Sequence, residues 1–174
     1  LLTGCFSANQ VMGSSGYEFS LFNILLVIFP LTFFANFIYP LILVTGSLAM
    51  VWFLRIWERC WIASIIGAII SFWFNSILLA SAGHAYKMEV LALSVLSLAF
   101  IEKNIRTKSI RGALGYSLLA GITIGFMMIE QQDVALLAIL FIGSYMLFRL
   151  FGRFPKIWKR WMILLLPIAI VSLS

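Results

Sequence analysis

The chain has 174 residues, 63% of them hydrophobic and only 10% charged, and a formal net charge of +6; its mean hydropathy is +1.10. A water-soluble domain of this length needs far more polar surface to cover its core, so the composition excludes one. The positive charge does not indicate nucleic acid, because the basic residues are divided among short connections between apolar runs.

Residues 1–20 are a mixed, Gly- and Ser-containing segment with no strong periodicity. The opening LLTGC resembles a lipobox, but only two apolar residues precede it, and coincidence is the better reading. Apolar runs follow at roughly 21–38, 39–56, 60–80, 88–101, 112–129, 134–148 and 161–174. Backbone groups in hydrocarbon have no water to bond, so runs of this kind are expected to be helices. The strict alternation of a membrane barrel is absent. The expected fold class is therefore an all-α integral membrane protein, a polytopic bundle of about six membrane segments. Residues 1–38 are expected to form an outer loop and an interfacial or re-entrant helix, and residues 39–174 the transmembrane bundle. A full span by 21–38 is the alternative; the interfacial form is favoured because Pro30, Asn36 and Pro40 interrupt the run and because residues 1–20 carry no Lys or Arg. Runs 88–101 and 134–148 are short and are expected to continue as helix into flanking polar residues. Leu1 in place of a Met, and a last run of only fourteen residues against the ~20 that a span takes, lead us to expect a piece of a longer protein.

The connections set the orientation. Arg55–Arg59, Glu102–Arg111 and Arg149–Arg160 hold eleven of the twelve basic residues, whereas Gly83–Glu89 and Glu130–Asp133 hold only Lys87. Short cytoplasmic loops retain Lys and Arg, so the basic connections are expected inside and the other two outside. Trp57, Trp61, Trp158 and Trp161 fall at the inner boundary, as an aromatic belt would. Cys5 is expected outside and Cys60 at the inner boundary, too far apart for a disulfide.

Small residues recur every four positions in two runs: Ala63, Gly67 and Ser71, continued by Asn75, and Ser117, Gly121 and Gly125. Such lines let helix backbones approach closely, and ordinary packing within the chain is the expected use. No HExxH, CxxC, GxSxG, phosphate loop or dinucleotide fingerprint is present. One histidine and two separated cysteines make a zinc site a poor expectation.

The polar constellation that remains is the outer one. Gly83, His84, Tyr86, Lys87 and Glu89 lie at the mouth of one helix, and Glu130, Gln131, Gln132 and Asp133 lie between the next two. Two crossings return the chain to the same leaflet, so the halves are able to meet. A cationic pair near a helix start suits a phosphate. Carboxylates opposite it suit a divalent metal, a hydroxyl to be activated, or plain neutralisation of Lys87. The plainer alternative is a snorkelling lysine and a polar turn.

The stretch GHAYKMEVLALSVLSLAFIEKN, followed by RGALGYSLLAGITIGFMMIEQQDVALLAIL, resembles the YfhO-type bacterial membrane proteins, relatives of the C-type, polyprenyl-phosphate-sugar-dependent glycosyltransferases. The resembling elements are a Gly-His-x-x-Lys start to a helix, matched by Gly83, His84 and Lys87, and an outer turn with a glutamine, matched by Gln131 or Gln132. The resemblance implies a bacterial inner-membrane protein that transfers a sugar from a polyprenyl-phosphate donor on the extracytoplasmic face. His84 and Lys87 would contact the donor phosphate. Glu130, Gln131, Gln132 and Asp133 would shape the acceptor side or hold a divalent cation, the one cofactor implied. Asp133-Val134-Ala135 follow where the family usually has aromatic residues, and the acidic base of such transferases has no counterpart that we assign here. The partners expected are the lipid bilayer, the lipid-linked sugar and other membrane subunits, with no nucleic acid. A non-catalytic structural subunit of a larger membrane complex is the alternative, and a transporter or flippase the third reading.

Overall fold

The computed structural model describes residues 21–75 and 85–151. Six helices account for most of them, with no strand among the described residues: α1 Leu21–Ile28, α2 Leu31–Ile56, α3 Trp61–Phe72, α4 Ala85–Arg106, α5 Ile110–Glu130 and α6 Gln132–Phe151. Three segments are long and apolar enough to cross a membrane: Asn36–Ile56, Ile110–Glu130 and Gln132–Arg149. Expected segment 161–174 lies outside the described residues, as do Cys5, Gly83 and His84.

The first break in the chain falls at Phe29–Pro30, and α2 then runs through Pro40 without interruption. The sequence led us to expect a start near Tyr39-Pro40. Both prolines remove a backbone donor, and both disfavour helix at the residue before. Ile38 and Ile42, which bracket Pro40, are 6% and 5% exposed and belong to a core cluster with Phe72 and Tyr86. That packing offsets the lost bond. Around Pro30, Ile28 and Phe29 are exposed, nothing compensates, and the helix breaks. The eight residues of α1 extend ~12 Å, too short to cross a bilayer.

The short runs do continue into polar residues. Helix α4 takes in Lys87 and Glu89 at one end and Glu102–Arg106 at the other, and α6 reaches from Gln132 to Phe151. The helix α3 is only twelve residues long within the described chain.

Helix α4 is the axis of the bundle. It packs against α2 on one side and α5 and α6 on the other. Two core clusters meet on it: Val90, Leu98 and Ile101 pack with Ile124, Met127 and Ile142, while Met88 and Ala92 pack with Ile42 and Phe72. Yet α4 also buries Glu89, Ser97, Glu102 and Asn104. Polar groups therefore share the interior with the apolar clusters, while the outside is strongly apolar. Val27, Ile62, Ile70, Leu137, Leu140 and Phe148 all stand exposed on the outer helices, a surface that water does not favour and hydrocarbon does.

Polar side chains inside the bundle bond across helices. The Ser97 and Thr123 hydroxyls are 2.7 Å apart across α4 and α5, and Asn104 Nδ2 donates to Ser117 Oγ at 2.7 Å and to the Ala113 carbonyl. Of the two small-residue lines, that of α5 faces this contact: Ser117 and Gly121 are buried, and Gly125 is half-buried. On α3 the buried line is Ser64, Ala68 and Phe72, one position on from Ala63, Gly67 and Ser71. Gly67 still sits close to α2, since a Cβ there would stand 2.9 Å from Leu54 Cδ1. Gly46 of α2 faces the Phe72 ring so closely that any side chain would collide with it.

Candidate functional site at the ends of the bundle

Among the described residues, Trp57, Glu58, Glu102, Arg106 and Arg149 come together at one end of the bundle, and Lys87, Glu89 and Glu130–Asp133 lie towards the other. The two ends are built differently.

At the basic end the centre is Glu102, whose side chain is fully buried. Arg106, one turn further on α4, donates Nε to Oε1 at 2.9 Å. Arg149 of α6 donates Nη2 to Oε1 at 2.6 Å and Nε to Oε2 at 3.1 Å, a two-pronged grip. The Tyr145 hydroxyl donates to Oε2 at 2.7 Å. Trp57, at the end of α2, lies beneath both guanidinium groups, 4.6 Å from Arg149 and 5.5 Å from Arg106. Glu58 adds an exposed ion pair to Arg106 at 3.3 Å. One carboxylate thus joins α4 to α6, with the α2 terminus stacked against its partners. Sequence reasoning counted Glu102 with the basic connection into which the helix was expected to continue, and gave it no role. Its spacing of four from Arg106, directly after an apolar run, was the available signal. Cys60 is free and exposed at this end, with its Sγ accepting from the Ala63 N–H at the start of α3.

At the acidic end the described part of α4 begins at Ala85, with Lys87 half-buried in its outermost described turn and Glu89 4% exposed. The expected polar loop at 130–133 is almost wholly absorbed into helix. Helix α5 runs to Glu130, which is 1% exposed, and α6 starts at Gln132. Gln131 alone turns the chain, its extended backbone donating to the Met127 carbonyl at 3.2 Å and accepting from Ala135 at 2.9 Å. Asp133 is exposed in the first turn of α6, where a negative charge is favourable. Gln132 is exposed beside it.

The described members of the first half, Tyr86, Lys87 and Glu89, therefore stand at the same end of the bundle as Glu130–Asp133. Glu89 and Glu130 are close enough for their charges to interact. His84 lies outside the described residues. Among the described residues no group of three or more His, Cys, Asp or Glu side chains is arranged to hold a metal ion. Glu89 was noted in the sequence without a function; a carboxyl on an otherwise apolar helix face is the signal that marks it.

Compared with known proteins, the chain matches no family model, no curated protein and no solved structure.

Proposed function

We propose that the chain is a segment of a polytopic inner-membrane protein of the C-type-glycosyltransferase-like kind, which uses the acidic end of the bundle on the extracytoplasmic face to handle a polyprenyl-phosphate-linked sugar. The observation that carries this reading is the register of α4. The described part of α4 begins at Ala85, so Lys87 stands in its outermost described turn, half-buried at this end of the bundle, where its ammonium is placed to meet an anion. The Gly83-His84 pair precedes it in the sequence, and Glu130–Asp133 arrive at the same end from α5 and α6. In this reading His84 and Lys87 hold the donor phosphate, while Glu130, Gln131, Gln132 and Asp133 shape the acceptor side, with or without a divalent cation. Membrane insertion is supported by the three long apolar helices and by the exposed apolar surface. The division of basic residues supports the orientation.

A second reading is favoured by the basic end. The most fully connected polar group among the described residues, Glu102, ties helices to one another, as a non-catalytic structural subunit of a membrane complex would require.

Two measurements decide. Lys87→Met in the reconstituted protein is expected to weaken polyprenyl-phosphate-sugar binding by roughly 1.5–3 kcal/mol, the scale of a charge-assisted hydrogen bond, with the melting temperature unchanged. Lys87→Arg should be milder. Binding by Lys87→Met equal to wild type makes Lys87 a snorkelling anchor and puts the structural subunit first. Cys60 reports orientation: with Cys5 removed, it should react with impermeant thiol reagents only once the inner face is opened, whereas a cysteine at Gln131 should react in intact cells. The reverse pattern inverts the topology.

A further inference from the structure

A cavity of about 310 Å³ lies between α2 and α4, with Leu25 of α1 at its edge. It falls at the lower end of the ~300–1,000 Å³ typical of ligand pockets. Its walls include Ile38, Ile42 and Thr45 from α2 and Glu89 and Leu93 from α4. Apart from Glu89 and Thr45 the lining is apolar, and it contains no Lys, Arg or His. Thr45 directs its hydroxyl proton to its own helix, bonding the Leu41 and Ile42 carbonyls at 2.8 and 3.1 Å.

Glu89 is the anomaly. It is 4% exposed, and among the described residues neither of its oxygens has a hydrogen-bond partner. The nearby Glu130 adds a second negative charge to its surroundings. Lys87 is two residues earlier, about 200° around the helix at ~100° per residue, so it points away from the Glu89 face. A carboxylate so placed is costly unless a cation comes with it.

We propose that this cavity binds a lipophilic organic amine in its ammonium form, its apolar body against the Ile and Leu walls and its N–H groups on the Glu89 carboxylate. A divalent metal would need some six oxygen ligands, and the lining offers two side chains with oxygen. An anionic lipid would meet only like charge. A neutral alkyl chain would fill the walls and leave Glu89 without a partner. Leu41, on the rim, is exposed, so the cavity opens sideways on the face of α2. The proposal is independent of the sugar-transfer reading, because Lys87 and Glu89 face apart and would take ligands of opposite charge.

The test uses a diazirine-bearing dodecylamine on the protein in nanodiscs, with the labelled residues mapped by mass spectrometry. Label is expected on α2 and α4 around Thr45 and Leu93, competed by dodecylamine but not by dodecanoate. Glu89→Gln should reduce it by about tenfold or more, the scale of a charge-assisted hydrogen bond, while melting at or above the wild-type temperature. Thr45→Phe, which plugs the rim without touching the carboxyl, should reduce it similarly. Equal labelling of Glu89→Gln, or equal competition by dodecanoate, would show an apolar crevice without charge selectivity and overturn the proposal. Absence of label in the wild type would show that the chain itself or bulk lipid fills the space, and would overturn it too. Neither result bears on Lys87→Met, so the two readings fail separately.

Discussion

The two ends of this bundle each bury a glutamate on α4, and they treat it in opposite ways. Glu102 is fully buried and takes four hydrogen bonds from Arg106, Arg149 and Tyr145. Glu89 is nearly as buried, borders a cavity, and takes no hydrogen bond from the described residues. A buried charge costs several kcal/mol unless donors surround it. Where they do, the carboxylate specifies how helices pack. Where they do not, the group contributes nothing to packing that an apolar side chain would not supply better. Polar residues of the first kind hold the bundle together, and those of the second kind are the ones with bonding capacity left for a ligand.

The comparison predicts unequal responses to mutation, and the largest is at the basic end. Arg149→Met keeps much of the apolar stem while removing two of the four hydrogen bonds to Glu102 and the guanidinium that stacks on Trp57. Breaking a buried pair from one side typically costs ~3–5 kcal/mol. The residual Arg106 and Tyr145 bonds favour the lower figure. Unfolding of the purified protein, followed by heat or denaturant, should show this loss, and Glu102→Leu combined with Arg149→Met should recover part of it. A single Arg149→Met variant as stable as wild type would mean that the two ends do not differ in the way the geometry indicates.

At the acidic end the corresponding change should cost nothing. Glu89→Gln retains shape and removes an unpaired ionisable group, so stability without ligand should stay level or rise by about 1 kcal/mol. A loss of ~2 kcal/mol or more, the scale of an orphaned buried partner, would reveal a bond to Glu89 from outside the described residues and erase the contrast.

Much of the architecture was readable before the structure. Apolar runs gave the helices, and the separation of Lys87 from eleven other basic residues gave the two ends. Proline was harder to read. Pro30 and Pro40 look alike in sequence, and only burial of Ile38 and Ile42 distinguishes the one that the helix tolerates. The acidic turn was read as a four-residue loop because its residues are polar, but Glu130 and Gln132 continue helices, and Gln131 suffices to reverse the chain. Glu102 was hidden for a related reason. A run of charges next to an apolar segment looks like a solvated loop until the facing helix is known to bring Arg149 and Tyr145 to it. The roles proposed for His84 and Lys87 rest on a cationic pair near a helix start and, more heavily, on resemblance, because spacing alone does not separate a phosphate ligand from a snorkelling lysine.

The smallest effect, and the finest test of the contrast, concerns Glu58. It follows the last turn of α2 with φ of 59°, the left-handed conformation, while its N–H bonds the Arg55 carbonyl at 3.0 Å and the Arg59 N–H bonds the Leu54 carbonyl at 3.3 Å. This paired closure of a helix usually uses glycine, which has no Cβ to strain. Strain of ~1–2 kcal/mol for a left-handed residue is partly cancelled in Glu58→Gly by the ~0.5–1 kcal/mol of chain entropy that glycine loses on folding. The variant also gives up the Arg106 ion pair, whose Glu58 side chain is 87% exposed and which is worth about 0–1 kcal/mol. The sum is close to zero, so Glu58→Gly should melt near wild type. Glu58→Gln keeps the strain and removes only the charge, and should be slightly less stable at low salt, with the difference vanishing as salt screens the pair. A loss from Glu58→Gln comparable to that from Arg149→Met would place Glu58 inside the buried network rather than at its wet edge. The basic end would then owe its strength to the whole cluster of charges and not to the one carboxylate that water does not reach.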